Sequence, residues 1–247
     1  MTDRVGVIGA GVMGAGIAQV LITSGCEVVV HDIAPAAIEL ARKEIETGRY
    51  GLASAVARGR TTPEDAAEAL ARLTLTTDIE EAVATDIVLE AVPEDLALKV
   101  RLFRRLDRLA PTSTILASNS SGFPIAALAA ATDRPELVIG WHWASPPVVM
   151  ALAEIVRTPL TAASTVETVV GLAARAGKHP IVVNDHPTVW GYVVNRVYGQ
   201  ARAEADAIVD EGIATQEQID QLMIDAFRWP VGPFGMVRGA TTGWTGR

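Results

Sequence analysis

A single cysteine, Cys26, stands in a chain of 247 residues, so neither an intrachain disulfide nor a cysteine zinc cluster can form. That usage fits a reducing cytoplasm, with the thiol serving as a small buried apolar side chain. Positive charge is scarce too: 21 Lys and Arg face 29 Asp and Glu, for a net charge of -8. A field of that sign repels nucleic acid and anionic membrane, so neither is expected as a partner, and an anionic ligand must be met by a local basic patch. The chain enters a strand pattern within its first five residues, which leaves no room for a signal peptide ahead of it. The run from Leu109 to Thr132 carries no charge, but Pro111, Pro124 and a Ser/Thr/Asn cluster break it into strand, loop and helix rather than a membrane span. Internal repeats and low-complexity segments are lacking as well.

What is present is apolar residues, 49% of the chain. They exclude a disordered protein and suffice for one large domain with a smaller one. The most informative stretch is Val5 to Ile17, V-G-V-I-G-A-G-V-M-G-A-G-I. An apolar run ends in Gly9, Gly11 and Gly14, spaced as G-x-G-x-x-G, and continues into helix-forming residues. Such a turn lets backbone approach a pyrophosphate and presents the free N–H groups of a helix N-terminus to it. Gly9, Gly11, Val12, Met13 and Gly14 are therefore the expected cofactor-binding turn. A second apolar strand, Cys26 to Asp32, ends in an acid 18 residues after Gly14. An acid there accepts hydrogen bonds from ribose hydroxyls and repels a 2′-phosphate, which favours NAD over NADP.

Strand and helix then alternate. Pro35 opens an amphipathic helix to about Arg58, and Thr62-Pro63-Glu64-Asp65 starts another. Together they predict a helical hairpin, about residues 35–72, inserted in the nucleotide domain. Between Arg42 and Arg60, five basic residues against two acids form either a receiving patch for a phosphorylated substrate or a solvated face. Strands are expected at Leu73–Thr76, Asp86–Val92 and Thr114–Ala117, and a helix at Glu94–Leu109 with Leu98, Leu102, Leu106 and Leu109 as its apolar stripe. Ser118-Asn119-Ser120-Ser121-Gly122 follows the last of these strands, where loops line the ligand crevice of a doubly wound sheet. Leu137–Trp143 and Ala151–Val156 predict two strands about a proline-interrupted reversal near Val148. That reversal sets His142 opposite Glu154, within hydrogen-bond reach. A carboxylate beside an imidazole stabilises the imidazolium and fixes which ring nitrogen is free. His179 and His186, beside prolines, read as surface residues. After a helix to Gly177 and a strand to Asn184 the alternation stops, and Val189–Glu211 and Thr215–Phe227 read as helices. The predicted fold is α/β: a Rossmann-type, mostly parallel sheet over residues 1–184, with a small all-helical C-terminal domain over 185–247.

These residues together resemble the L-3-hydroxyacyl-CoA dehydrogenases over almost the whole chain, from Gly9 to about Phe234. The resemblance rests on G-A-G-V-M-G-A-G-I-A from Gly9, E-A-V-P-E-D from Glu90 with Lys99 following, and S-N-S-S from Ser118. It continues through G-W-H-W from Gly140, A-E-I-V from Ala153, G-Y-V-V-N-R from Gly191 and P-V-G-P-F from Pro230. It implies NAD as cofactor, an acyl-CoA thioester as substrate and a homodimer. His142 would be the general base, Glu154 its orienting partner, and Ser121 and Asn195 the hydrogen-bonding groups for the substrate oxygen. Asp32, Glu94 and Lys99 would contact NAD, and Arg58 falls where the family meets the CoA phosphates.

Three departures from the family accompany the resemblance. Ser145-Pro146 stands where Asn-Pro is common, so Ser145 takes a cofactor-facing position with a shorter side chain. Thr188-Val189-Trp190 is an insertion. The chain also ends soon after Phe234, as a shortened helical domain or an incomplete one. Two alternatives stay open at this stage: a dehydrogenase of a 3-hydroxy acid without CoA, of the L-gulonate or carnitine kind, and an NAD-binding protein with impaired catalysis.

Overall fold

The computed structural model describes residues 3–236. Its first strand, β1 (Arg4–Ile8), runs into the glycine turn and then α1 (Val12–Thr23); β2 (Glu27–His31) follows. The helix expected from Pro35 to about Arg58 is two helices, α2 (Pro35–Thr47) and α3 (Leu52–Ala57). The break falls at Gly48, whose backbone is extended (ψ 174°) and whose missing side chain leaves room for the Glu44 carbonyl. Helix α4 (Pro63–Ala71) completes the hairpin. Its Thr62 side chain accepts from the Asp65 N–H at 3.0 Å, as a capping residue does.

The remaining elements are β3 (Leu73–Thr76), α5 (Ile79–Val83), β4 (Ile87–Glu90), α6 (Leu96–Leu109), β5 (Ile115–Ser118), α7 (Ile125–Ala129), β6 (Val138–Trp143), β7 (Leu152–Arg157), α8 (Ala163–Arg175), β8 (His179–Asn184), α9 (Val193–Asp210) and α10 (Gln216–Phe227). The strands form one sheet in the order β3-β2-β1-β4-β5-β6-β7-β8. Neighbours from β3 to β6 are parallel, β7 is antiparallel to β6, and β8 is parallel to β7. The expected mostly parallel sheet is therefore present, with a reversed edge. The stretch 109–132 resolves into the end of α6, strand β5, a loop and α7, and no helix among the described residues is long and apolar enough to cross a membrane.

Strand residues alternate between two cores, which is why the strands read as continuous apolar runs. Val5, Val7, Val28, Val30, Leu89 and Ala117 face one core, joined by Ile17 and Leu21 of α1 and Val169 and Leu172 of α8. Ile8, Val29, Val88 and Leu116 face the other, with Phe103 and Leu106 of α6 and Leu128 of α7. Helix α6 begins two residues later than expected because Asp95 caps it, accepting from the Leu98 N–H at 2.7 Å. Its inward residues are Lys99, Phe103 and Leu106, so Leu106 is buried as expected, while Lys99 and Phe103 take the places expected for Leu98 and Leu102. Leu98 and Leu102 instead line a crevice at the carboxyl ends of the parallel strands. In α10 the capping box of Thr215 and Gln218 is complete. The chain end that departs from the family's length, from position 237 on, lies outside the described residues.

Candidate active site

At the carboxyl ends of the parallel strands a crevice of about 980 Å³ opens between the glycine turn, the end of β2 and the loops after β4 and β5. Sheets of this class bind ligands there. Gly9 has φ +106°, and a side chain on it would come within 2.7 Å of the Ala91 carbonyl oxygen. A Cβ on Gly14 would come within 1.8 Å of the Gly9 carbonyl oxygen, so α1 sits against the turn only because that atom is missing. Gly11 differs, since a Cβ there meets nothing within 4 Å. It lines the crevice beside Gly9, Val12 and Met13, so this glycine keeps the approach to the α1 N-terminus clear for a phosphate.

Asp32 accepts the Ala10 N–H on Oδ2 and the Ala34 N–H on Oδ1, both at 2.9 Å. One carboxylate therefore fixes the glycine turn and keeps a lone pair on each oxygen for ribose hydroxyls. Clear turn, anion-receptive helix end and terminal acid together fit NAD; a 2′-phosphate against Asp32 would meet like charge.

Of the four residues expected at the reaction, Ser121 lines this crevice, and His142, Glu154 and Asn195 are not among its lining residues; the four come from segments far apart in sequence. The β6–β7 register pairs His142 with Glu154, and His142 Nδ1 lies 2.9 Å from Glu154 Oε2. Both residues are buried, at 6% and 2% exposure. With Nδ1 engaged by the carboxylate, Nε2 is the nitrogen left to exchange a proton. The other carboxylate oxygen, Glu154 Oε1, accepts the N–H groups of Val193 (2.8 Å) and Val194 (3.3 Å) at the start of α9. Glu154 thus orients the imidazole and holds the helix that carries Asn195. Asn195 Nδ2 donates to the Ser121 carbonyl at 2.9 Å, which brings the two residues expected at the substrate oxygen together. The ring of Tyr192 stands edge-on to His142, centroids 5.8 Å apart, and its hydroxyl donates to the Phe123 carbonyl at 2.7 Å. Burial pushes that phenol well above its ordinary range, so it stays a neutral donor.

Asn119, in the loop expected at the crevice, and Glu90, at the end of β4, also take part. Asn119 lines the crevice, and its Oδ1 accepts the Trp143 N–H at 2.9 Å, tying the β5 loop to the strand that carries His142. Both lie inside motifs that the sequence displays, S-N-S-S and E-A-V-P-E-D, but spacing alone gives neither a partner.

The other expected residues fall in different places. Glu94 lines the crevice, and its Oε1 accepts the Ser120 hydroxyl (2.6 Å) and the Ser121 N–H (2.9 Å). Lys99 is not on the crevice wall: it is 1% exposed, with Nζ 2.5 Å from Glu90 Oε1. The helical phase turns it inward, where its ammonium contacts the carboxylates of Glu90 and Glu94. The Ser145 hydroxyl is buried and has no hydrogen-bond partner among the described residues. Arg58, at the end of α3, lines a second cavity of about 480 Å³ together with Arg60 and the buried Lys178. Burial pushes the Lys178 ammonium below its ordinary range, while its Nζ donates to the carbonyls of Pro147 (2.6 Å) and Met150 (2.8 Å). His179 and His186 are exposed, as expected; His186 Nδ1 lies 3.3 Å from the Thr188 hydroxyl.

Comparison with known proteins decides what kind of crevice this is. Residues 4–186 match the model of the 3-hydroxyacyl-CoA dehydrogenase NAD-binding domain, and residues 191–246 match that of the C-terminal domain. The chain belongs to the 3-hydroxyacyl-CoA dehydrogenase family. A probable 3-hydroxybutyryl-CoA dehydrogenase of Bacillus subtilis is 40% identical over 230 residues, 93% of this chain and 78% of that one. The mitochondrial hydroxyacyl-coenzyme A dehydrogenase of Sus scrofa is 36% identical over 240 residues, 96% of this chain and 76% of that one. Among solved structures, an (S)-3-hydroxybutyryl-CoA dehydrogenase from Ralstonia eutropha superposes with a TM-score of 0.89 at 37% identity, covering 94% of this chain and 80% of that one. As a member of this family the chain is an NAD-binding oxidoreductase.

Proposed function

We propose that this protein interconverts a 3-hydroxyacyl-CoA and the corresponding 3-ketoacyl-CoA, with NAD as the hydride acceptor in one direction and NADH as the donor in the other. The observation that carries the reading is the His142–Glu154 pair, held at 2.9 Å beside a loop, Ser118 to Ser121, that also borders the cofactor crevice. In oxidation, His142 Nε2 takes the proton of the substrate hydroxyl, and the imidazolium so formed is stabilised by Glu154. In reduction the same nitrogen returns the proton to the carbonyl oxygen. The Ser121 hydroxyl and the Asn195 amide hold that oxygen. A base held within hydrogen-bond reach contributes on the order of a hundredfold to ten-thousandfold. The bound dinucleotide supplies or accepts the hydride, and the chain contributes position and charge.

The nucleotide end of CoA is assigned to the cavity beside Arg58, where Arg60 and Lys178 add positive charge in an otherwise acidic protein. Ser145 is assigned to the nicotinamide side, with its unpartnered hydroxyl as support. A homodimer is part of the same proposal. Its support is the exposed apolar side chains of Val193 and Val197 on α9 and Leu222 and Phe227 on α10, and light scattering at micromolar concentration tests it. A reducing, cytoplasmic setting is proposed from the lone, buried Cys26. The reaction is tested by NADH consumption with acetoacetyl-CoA against free acetoacetate. Turnover of the thioester at a kcat/KM at least about a hundredfold above the free acid supports the reading, and the reverse order contradicts it.

A further inference from the structure

The second cavity, beside Arg58, holds a polar group without a use so far. Gln19 lies about two turns along α1 from the glycine turn. It is 3% exposed and lines that cavity. Its Nε2 donates to the Tyr50 carbonyl, between α2 and α3, at 2.6 Å. A backbone carbonyl only accepts, so the side-chain amide can face it only with its NH2 group, and this contact fixes which way round the amide stands. Oε1 is then left buried, with no hydrogen-bond partner among the described residues. Buried acceptors in folded proteins are matched by a donor as a rule, and leaving one unmatched is destabilising. Holding Tyr50 needs the NH2 group alone, which leaves the oxygen for a ligand that brings an N–H.

We propose that Gln19 is a substrate-recognition residue whose Oε1 accepts an amide N–H from the pantetheine arm of the CoA thioester. That arm alternates apolar carbon with secondary amides, and the lining of the cavity is mixed in the same way. Val20, Leu52 and Val148 offer apolar wall, while Arg58 and Arg60 bring the positive charge that a phosphate requires. Val148 belongs to the reversal between β6 and β7, the strands that carry His142 and Glu154. Lys178 holds that reversal through the carbonyls of Pro147 and Met150, so one wall of the cavity is continuous with the proton-exchanging pair. A free 3-keto acid has no N–H to give Oε1. Gln19 therefore favours the thioester by a hydrogen bond, in addition to the charge at Arg58.

This inference rests on the proposed use of a CoA thioester, and its test separates the two. Wild type and Gln19→Met are assayed for NADH consumption with three substrates: acetoacetyl-CoA, acetoacetyl-pantetheine, which lacks the nucleotide, and S-ethyl acetothioacetate, which lacks the amides as well. The expected result is a kcat/KM about tenfold lower for the CoA and pantetheine thioesters, carried by KM, with the ethyl thioester changed by less than about twofold. A pantetheine thioester with ester oxygens in place of its amide N–H groups is expected to lose about tenfold on the wild type and to lose nothing further on Gln19→Met.

An equal fall with all three substrates overturns the proposal, because it shows that Gln19 acts only by holding Tyr50. A fall confined to acetoacetyl-CoA also overturns it and assigns Oε1 to the adenine amino group. Unchanged kcat/KM with every substrate does the same. Where Gln19→Met does not fold, the ester analogue on the wild type decides, and an unchanged kcat/KM there overturns the proposal. A wild type that turns over none of the three counts against the proposed reaction instead. Calorimetric titration of both proteins with pantetheine then tests Gln19 by itself: a Kd about tenfold weaker for the variant is expected, and equal values overturn the assignment.

Discussion

The two halves of the proposed site are built by different means. At the nucleotide end the groups are mostly backbone: the clear approach at Gly11, the α1 N-terminus and the turn fixed by Asp32 all lie between residues 9 and 34. At the reaction end they are side chains, His142, Glu154, Ser121 and Asn195, drawn from β6, β7, the loop after β5 and α9. The first end is shaped by missing atoms and tolerates no additions. The second is shaped by hydrogen bonds between distant segments and tolerates no deletions. Substitutions at the two ends are accordingly expected to fail in different ways.

The largest effect is expected from His142→Ala, which removes the proton-exchanging nitrogen and lowers kcat by about a thousandfold in a steady-state assay. Glu154→Ala comes next. It leaves the imidazole without its orienting partner and the Val193 and Val194 N–H groups without their acceptor. A kcat about a hundredfold lower should accompany a stability loss of about 1–3 kcal/mol, read by urea unfolding. Gly11→Ala sharpens the contrast from the other side. Its Cβ meets nothing within 4 Å among the described residues beyond its chain neighbours, so the melting temperature should hold within a few degrees while NADH binds about tenfold more weakly.

The smallest effect concerns pH. His31 closes β2 beneath the crevice, 4% exposed, and burial holds its imidazole below the ordinary range; Asp32 opposes that shift and Arg105 adds to it. A depressed pKa means that the folded state takes up its proton later than the unfolded chain. The stability contribution is then present above the ordinary imidazole pKa of about 6.5 and is lost as pH falls from there through the folded value. Melting temperatures of wild type and His31→Val at pH 7.5 and pH 5 should therefore differ in slope, the variant losing less on acidification.

The same contrast explains what was legible in the sequence. The glycine turn and Asp32 could be read because one strand, one turn and one helix bring them together in order. The His142–Glu154 pair was legible for a related reason: a reversal near Val148 fixes the register of two adjoining strands, and 142 then falls opposite 154. The burial of Lys99 was not legible, since the leucines of α6 suggest one helical phase while the Asp95 cap and the buried Glu90 set another. The second task of Glu154, receiving the first N–H groups of α9 some 39 residues away, leaves no trace in spacing, because it depends on where the helical segment docks.

The central claim is that proton exchange and cofactor grip are separate properties of the two ends. Titrating NADH fluorescence with the His142→Ala protein beside the wild type tests it most directly. A Kd within about threefold of wild type is the predicted result, whereas a Kd weakened in proportion to the lost rate would show that the imidazole serves binding rather than proton exchange.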